Sequence, residues 1–528
     1  MRPAFFERLL FLFNITQDEL QTERSRAQWW IIVGGLVIGL VVVRIIATHV
    51  LFLYDDALIT FRYARNILAG EGMVYNVGER IYGLTTPLFG LIITVVMAMH
   101  LLPEVMINVI NIASDVAILL ITMWLLLAKW KDRSETKSDV TATAIYSGAA
   151  IFGLLFILSP VLNRICSGGM EADLTLAVML TSLVAYHRKK FVLAIVIAAI
   201  TYFFRPEAVI LVLAFCIHTW MERGFKQSVK LGLIALAVVL PGVLYLYSYY
   251  GSVLPQSMLA KAARGQNPLS IVIEELILSD PQSWAMIPFT LYGGWLAWKR
   301  GGILRIIVIW MTIFVTSYFI SRPGVFKWYG EPVHVTQCLF SALAIGNLLR
   351  MASEKWRSVR SVTKSVWTIP VFSLLIVMAW AAIFAKRGES GTNKFIFPAF
   401  QQWVKQYDLD HKRIFTGDLG AIGYYAPHSY VIDQWGLICP AALTYDPPIK
   451  MLHDYKPDYV LIQLHAWEVQ ELTENHIMEE YEPLRRITSD GDTSLNFSMD
   501  SSIYRNGPTD YFLMRRREPI AGSSQPSR

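Results

Sequence analysis

Long apolar runs separated by short polar loops fill the chain as far as about residue 387, and the pattern then changes. A helix that crosses a bilayer needs about 20 apolar residues, and about eleven segments reach that length comfortably or narrowly. They are 29–53, 104–129, 141–159, 172–187, 191–204, 206–220, 229–249, 283–298, 303–320, 332–349 and 366–385. A further run, TTPLFGLIITVVMAMHLL at Thr85–Leu102, is borderline. Beyond Gly388 short strand and helix patterns alternate: RIFTGDLGAIGYYAPHSYVID reads as strand, turn, helix, strand, and PDYVLIQL as another buried strand. The pattern predicts a mainly α polytopic membrane protein of about 11 transmembrane helices with a C-terminal extracytoplasmic α/β domain. The boundaries are 1–28 for a cytoplasmic N-terminal segment, 29–387 for the transmembrane domain with a first outer loop at 54–103, 388–517 for the α/β domain, and 518–528 for a polar tail.

Composition agrees with a membrane protein, since 54% of the 528 residues are hydrophobic and only 17% are charged. The net charge of +6 is small, and its basic residues sit in short loops, which argues for topology and against nucleic-acid binding. Those loops also bear on Thr85–Leu102. If that run spans, the loops KWKDRSETK, YHRKK, MERGFK, WKRGG and RMASEKWRSVRSVTK all lie opposite the N-terminus. If it does not, they share the cytoplasmic side with it, as the positive-inside rule favours. The run is therefore read as an embedded or interfacial helix that enters and leaves on the outer face. Four cysteines without metal-type spacing read as packing residues, and the N-terminal segment lacks the features of a removable signal peptide.

With that topology, the charged motifs collect in the outer loops. YDDALITFRYARN begins the first of them, and a helix from about Asp56 to Leu68 fits it. Asp55, Ile59, Arg62 and Asn66 recur along one face. The acid pair reads either as a cap of this helix or as a reactive pair. Glu171 and Asp173 follow two glycines, while Arg205 and Glu207 interrupt an apolar run, as a turn pair or as part of a site. Lys261, Lys327, Tyr329 and His334 lie in later outer loops, where they suit lipid headgroup anchoring or a phosphate. A substrate with a lipid tail and a phosphate leaving group would use such a face. The tail stays in the bilayer, cations hold the phosphate, and a carboxylate activates an acceptor hydroxyl.

In order, DDALITFRYARN, GEGMVYNVGERIYGLTTPL, SGGMEA, RPEA, GSVLPQSMLAK, KWYGEP and GDLGAIGYY with VIDQWGL resemble the polyprenol-dependent GT-C membrane glycosyltransferases. The branch they look most like is that of the mycobacterial terminal arabinofuranosyltransferase AftB and its bacterial relatives, over about Asp55–Leu437. The resemblance implies a polyprenyl-phosphate-linked sugar donor, arabinofuranose on the closest likeness alone, and an active site on the extracytoplasmic face of the bacterial inner (plasma) membrane. It also implies an essential acid in the first outer loop, which by motif position is Asp55 or Asp56, with Asp55 the first choice. Glu171 matches the acid of a GLE-like motif, although Met170 and Ala172 replace its usual neighbours. Arg205, Glu207 and Lys261 match positions lining the same cavity, and Lys327, Tyr329 and His334 are grouped with them as substrate-binding candidates. Arg62 and Arg65 become candidates for steering phosphate or for holding the loop. Asp418 and Asp433 match recurrent acids of the C-terminal domain, structural more often than catalytic. Some relatives coordinate a divalent metal with such acids, and the ligand set here stays open. The acceptor is an envelope glycan, a glycolipid or a surface protein.

Two rival classes are a transporter or flippase of lipid-linked sugars and a ligase or polymerase of the O-antigen type. The first predicts ionisable groups deep in the membrane and related halves of the chain. Arg44, near the outer part of the first span, is expected to snorkel instead. The second places its large outer loop within the span series, whereas the soluble portion here follows the last span.

Overall fold

The computed structural model describes residues 23–51, 53–128, 139–263, 265–355, 393–488, 491–494 and 510–517. The expected span at 366–385, the tail at 518–528 and most of the N-terminal segment lie outside the described residues. The chain divides into two compact units, each assembled from three stretches.

One unit comprises Met1–His49, Asn108–Pro241 and Gln266–Lys386, and its described residues are helical. Across the described chain, Trp29–His49, Pro103–Leu127, Phe225–Tyr250, Gly302–Ser321 and Lys327–Ala352 are long and apolar enough to cross a membrane. A bent pair, Ser147–Leu158 and Pro160–Ser167, makes a sixth span if the two are counted together. The 59° bend falls at Pro160, which lacks the N–H to continue a helix but suits the first position of a new one behind the N-cap Ser159. Among the described residues five helices, or six with the bent pair counted as one span, have the length and composition of a membrane span, beside an expected count of about eleven that includes the undescribed 366–385. Ala172–His187, Phe191–Ile200 and Val209–Arg223 are shorter helices. The run at Thr85–Leu102 contains the 12-residue helix Pro87–Ala98. At 1.5 Å per residue it is about 18 Å long, short of a hydrocarbon core of about 30 Å.

Two contacts show how tightly the helical unit is built. A Cβ at Gly293 would lie 1.8 Å from the Phe340 carbonyl oxygen, so only glycine lets Pro281–Arg300 approach Glu331–Lys355 this closely. Arg44 does not snorkel. It is fully buried, its Nε donates to Asp115 at 2.5 Å, and its Nη1 donates to Asn163 at 2.5 Å. A guanidinium with a carboxylate and an amide inside the helix packing has no need to reach for water.

The second unit comprises Val50–Ile107, Gly242–Gly265 and Arg387–Arg528. Its sheet contains β1 (Arg413–Thr416), β2 (Tyr430–Asp433), β3 (Tyr459–Leu464), β4 (Tyr481–Thr488) and β5 (Asp510–Arg516) in the order β2-β1-β3-β5-β4. β1 is parallel to both neighbours, and β5 runs antiparallel to β3 and β4. Strand, helix and strand at 413–433 fall where the apolar runs predicted them, with the helix at Leu419–Tyr425. Phe415, Ile432, Val460, Ile462, Phe512 and Met514 bring the strands into one core with Met451, Leu452, Val469 and Leu472.

The helix Asp55–Leu68 belongs to this unit. Tyr63, Tyr75 and Leu84 of the first loop form an apolar cluster with Leu419, Val431 and Ile438 of the sheet region. Through that cluster runs Arg62, 1% exposed. Its guanidinium donates to the carbonyls of Tyr75 at 2.9 Å, Gly423 at 3.2 Å and Ser429 at 2.5 Å, and lies 4.3 Å from the Tyr75 ring centre. Arg65 donates to the Tyr424 carbonyl at 2.7 Å and lies over the Tyr424 ring. Of the two tasks open to these arginines, the observed contacts are those of holding the loop. Arg62→Met would strand the buried Gly423 and Ser429 carbonyls at about 1–3 kcal/mol each. The expected outcome is a thermal midpoint lowered by several degrees with rapid proteolysis of the first loop, measured on the detergent-solubilised protein.

Candidate active site

Asp55 and Asp56 occupy the first turn of Asp55–Leu68, whose N-cap residue Tyr54 makes no side-chain capping bond. The Asp55 carboxylate instead crosses to the start of Leu419–Tyr425. Oδ2 accepts from the Gly420 amide at 2.7 Å and Oδ1 from the Ala421 amide at 2.7 Å. These are the second and third amides of that helix, the pair a capping side chain satisfies. Asp418 holds the N-cap position there yet makes no capping bond, because a residue from the first loop has taken the amides. The approach demands glycine: a Cβ at Gly420 would lie 1.7 Å from the Asp55 carbonyl oxygen. Gly423 is held likewise, since its Cβ would meet the Tyr75 hydroxyl at 2.0 Å.

Relieved of capping, the half-buried Asp418 carboxylate lies near Asp55 and Asp56, and its Oδ1 accepts from the Tyr511 hydroxyl at 3.4 Å. Burial and the neighbouring acid Asp56 push Asp418 up to about 6, against the pull of Tyr511 and His465. Burial and Asp418 raise the Asp55 carboxyl well above the usual range, while the Ala421 and Gly420 amides act in the opposite sense. Asp56 is raised by burial and drawn back by the Lys261 ammonium. Among the described residues Asp56 makes no hydrogen bond, so it is the acid of this group not committed to holding the fold. Beyond Asp418 stands His465, the N-cap of Ala466–Glu474, bonded to Glu468 in a capping box.

The helical unit carries the other expected residues. Arg205 Nε donates to Glu207 at 2.7 Å, its Nη1 donates to the Trp328 carbonyl at 3.2 Å and lies 3.7 Å from Glu171, and its guanidinium sits 4.8 Å from the Tyr329 ring centre. Arg205, Glu207, Tyr329 and Glu331 line one pocket with apolar Leu176, Met179 and Phe314. One guanidinium among three carboxylates makes a poor phosphate seat. Lys327 faces Glu275. His334 is 1% exposed, with Nδ1 near Gln337 at 3.1 Å and Ser283 at 3.3 Å and Nε2 near Ser279 at 3.1 Å. Both of its ring nitrogens have protein partners, as has the Arg62 guanidinium.

Among the described residues two groups bring three metal-ligating atoms within 4.8 Å of one another: Asp410, His411 and His428, and the buried Asp115, Cys166 and Asp173. Asp55 and Asp56 belong to neither, and each Asp55 oxygen accepts from one amide. Asp418 is the member of the acid group that sequence reasoning set aside as structural. The signal available for it was GDLGAIG, whose glycines mark a backbone that another chain segment must approach closely.

Residues 387–505 match a family model described as a domain of unknown function, DUF8728. No curated protein matches the chain. Among solved structures, the fold is similar to that of ArnT from Cupriavidus metallidurans bound to undecaprenyl phosphate, with a TM-score of 0.54, 12% identity, and coverage of 90% of this chain and 97% of that one. The apo state of the same protein matches with a TM-score of 0.54 and 12% identity over 91% and 98%. The chain therefore has a multi-pass helical membrane fold of the ArnT type, with a small C-terminal sheet.

The raised Asp418 carboxyl has a consequence for stability. Its native value near 6 exceeds the ordinary 3.8, so the native state binds this proton more tightly than the unfolded chain does. Stability from this group is present at low pH and falls as pH rises from about 4 through about 6. Asp418→Asn is expected to flatten that part of the profile and to raise the midpoint at pH 7, as read by thermal unfolding across pH 4.5–7.5, a window of about this width.

Proposed function

We propose that the protein is a GT-C type membrane glycosyltransferase that moves a sugar from a polyprenyl-phosphate donor to an acceptor hydroxyl on the extracytoplasmic face. The observation that carries this reading is the half-buried acid group of Asp55 and Asp56 on the first-loop helix with Asp418 of the C-terminal region, beside Lys261, within a fold of the ArnT type. The undecaprenyl phosphate bound to ArnT supports a lipid-phosphate donor, and the motif resemblance favours arabinofuranose and an envelope glycan, glycolipid or surface-protein acceptor. The distribution of basic loops supports a cytoplasmic N-terminus, and the motif resemblance supports the bacterial inner membrane as the location.

In this reading the two aspartates divide the work. Asp55 is a positioning residue, because its carboxylate fastens Leu419–Tyr425. Asp56 takes the proton from the acceptor hydroxyl as that oxygen bonds to the anomeric carbon. The bond from that carbon to the phosphate oxygen breaks, and polyprenyl phosphate leaves with its charge balanced by Lys261. This moves the base from Asp55, the first choice on motif position, to its neighbour. A transporter of lipid-linked sugars is the second reading, favoured by the buried Arg44 and Asp115 pair inside the spans.

Asp56→Asn is expected to reduce transfer by about 10²–10⁴-fold at an unchanged thermal midpoint. Asp55→Asn should lower both activity and midpoint. Both are measured on protein reconstituted with a polyprenyl-phosphate sugar, and mass spectrometry of the copurifying lipid should find polyprenyl phosphate or its glycoside. Wild-type transfer by Asp56→Asn would overturn the assignment, and lipid translocation without any transfer would favour the transporter.

A further inference from the structure

We propose that Asp410, His411 and His428 form a surface site for a borderline divalent transition metal such as Zn²⁺. The sheet register builds it. β1 and β2 pair in parallel with Arg413 opposite Tyr430. His411 lies two residues before Arg413 and His428 two residues before Tyr430, so equal offsets carry both imidazoles to the same end of adjacent strands. The ladder continues one step past the strands, where the Tyr430 amide donates to the Lys412 carbonyl at 2.9 Å. The rings stack with centroids 4.8 Å apart and planes 9° from parallel.

Asp410 fixes the second ring. Its Oδ1 accepts from the His428 amide at 2.8 Å, and its Oδ2 lies 2.7 Å from His428 Nδ1. A carboxylate that holds one imidazole nitrogen as N–H leaves the other with its lone pair free, the arrangement that supports histidine ligands from outside the metal shell. One donor atom from each of the three residues lies within 4.8 Å of the others. Two neutral imidazoles, one of them backed by a carboxylate, suit Zn²⁺, Cu²⁺ or Ni²⁺, whereas Mg²⁺ and Ca²⁺ favour oxygen ligands throughout. The His428 side chain is 63% exposed, so an ion reaches the site from solvent and water completes its coordination. β2 is an edge strand of the sheet, and a metal here would clip it to β1.

The test uses the full-length protein in detergent, free of any affinity tag, stripped with a chelator and titrated with Zn²⁺ against a chromophoric competitor. One equivalent should bind with micromolar affinity and raise the thermal midpoint, while Mg²⁺ does neither. His411→Ala and His428→Ala should each weaken binding by at least about ten-fold. Both variants should leave the metal-free midpoint unchanged and abolish its rise with Zn²⁺. Absence of Zn²⁺ uptake by the wild type, or wild-type binding by both variants, would overturn the proposal. The second result would assign the ion to another site, with the buried Asp115, Cys166 and Asp173 group next to be tested.

Discussion

The Asp55 carboxylate on the Gly420 and Ala421 amides is the contact on which the sheet-bearing unit depends. Two charge-assisted bonds to helix-start amides are stronger than neutral ones and place a negative charge at the positive end of the helix. They join residues 365 and 366 positions apart in the chain. Their geometry explains much of the local sequence: glycine at 420, a free carboxylate at 418, and a short helix whose capping residue does not cap it. Arg62 works in the same direction from the other side of the helix, tying the Gly423 and Ser429 carbonyls to the first loop. An acid thus serves the start of this segment and a base its end, as the partial charges of a helix favour.

This fastening bears on how the C-terminal region should be regarded. The matched family model covers 387–505, yet the compact unit also takes in Val50–Ile107 and Gly242–Gly265. Without the first loop, Leu419, Val431 and Ile438 would lose Tyr63, Tyr75 and Leu84 from their apolar cluster. The region is therefore one part of a discontinuous unit. The acid group arises from that assembly, because Asp418 and the two first-loop aspartates come from its separate stretches.

Much of this was legible in the chain, and the parts that were not share a physical reason. The strand, helix and strand at 413–433 were readable because apolar runs and turn residues act over a few positions. The acid pair was readable as unusual, but its use was not, since the amides it binds lie hundreds of residues away. Asp418 read as a recurrent acid, structural more often than catalytic, and its place beside Asp55 and Asp56 follows from contacts the sequence does not display. Arg44 looked able to reach water because its partner Asp115 stands alone in an apolar run. Span counting was the least decidable part, because apolar helices of 10–16 residues such as Phe191–Ile200 and Ala172–His187 have the composition of spans at a shorter length.

The burial of Arg44 has a consequence for how the chain enters the membrane. An arginine in an inserting helix costs up to about 2.5–3.5 kcal/mol, the value at its centre. In the folded protein Asp115 offsets that cost, but Asp115 emerges from the ribosome 71 residues after Arg44. The apolar residues of Trp29–His49 carry that arginine until Pro103–Ala128 follows. The final packing of the first span is thus completed by a residue of a later one.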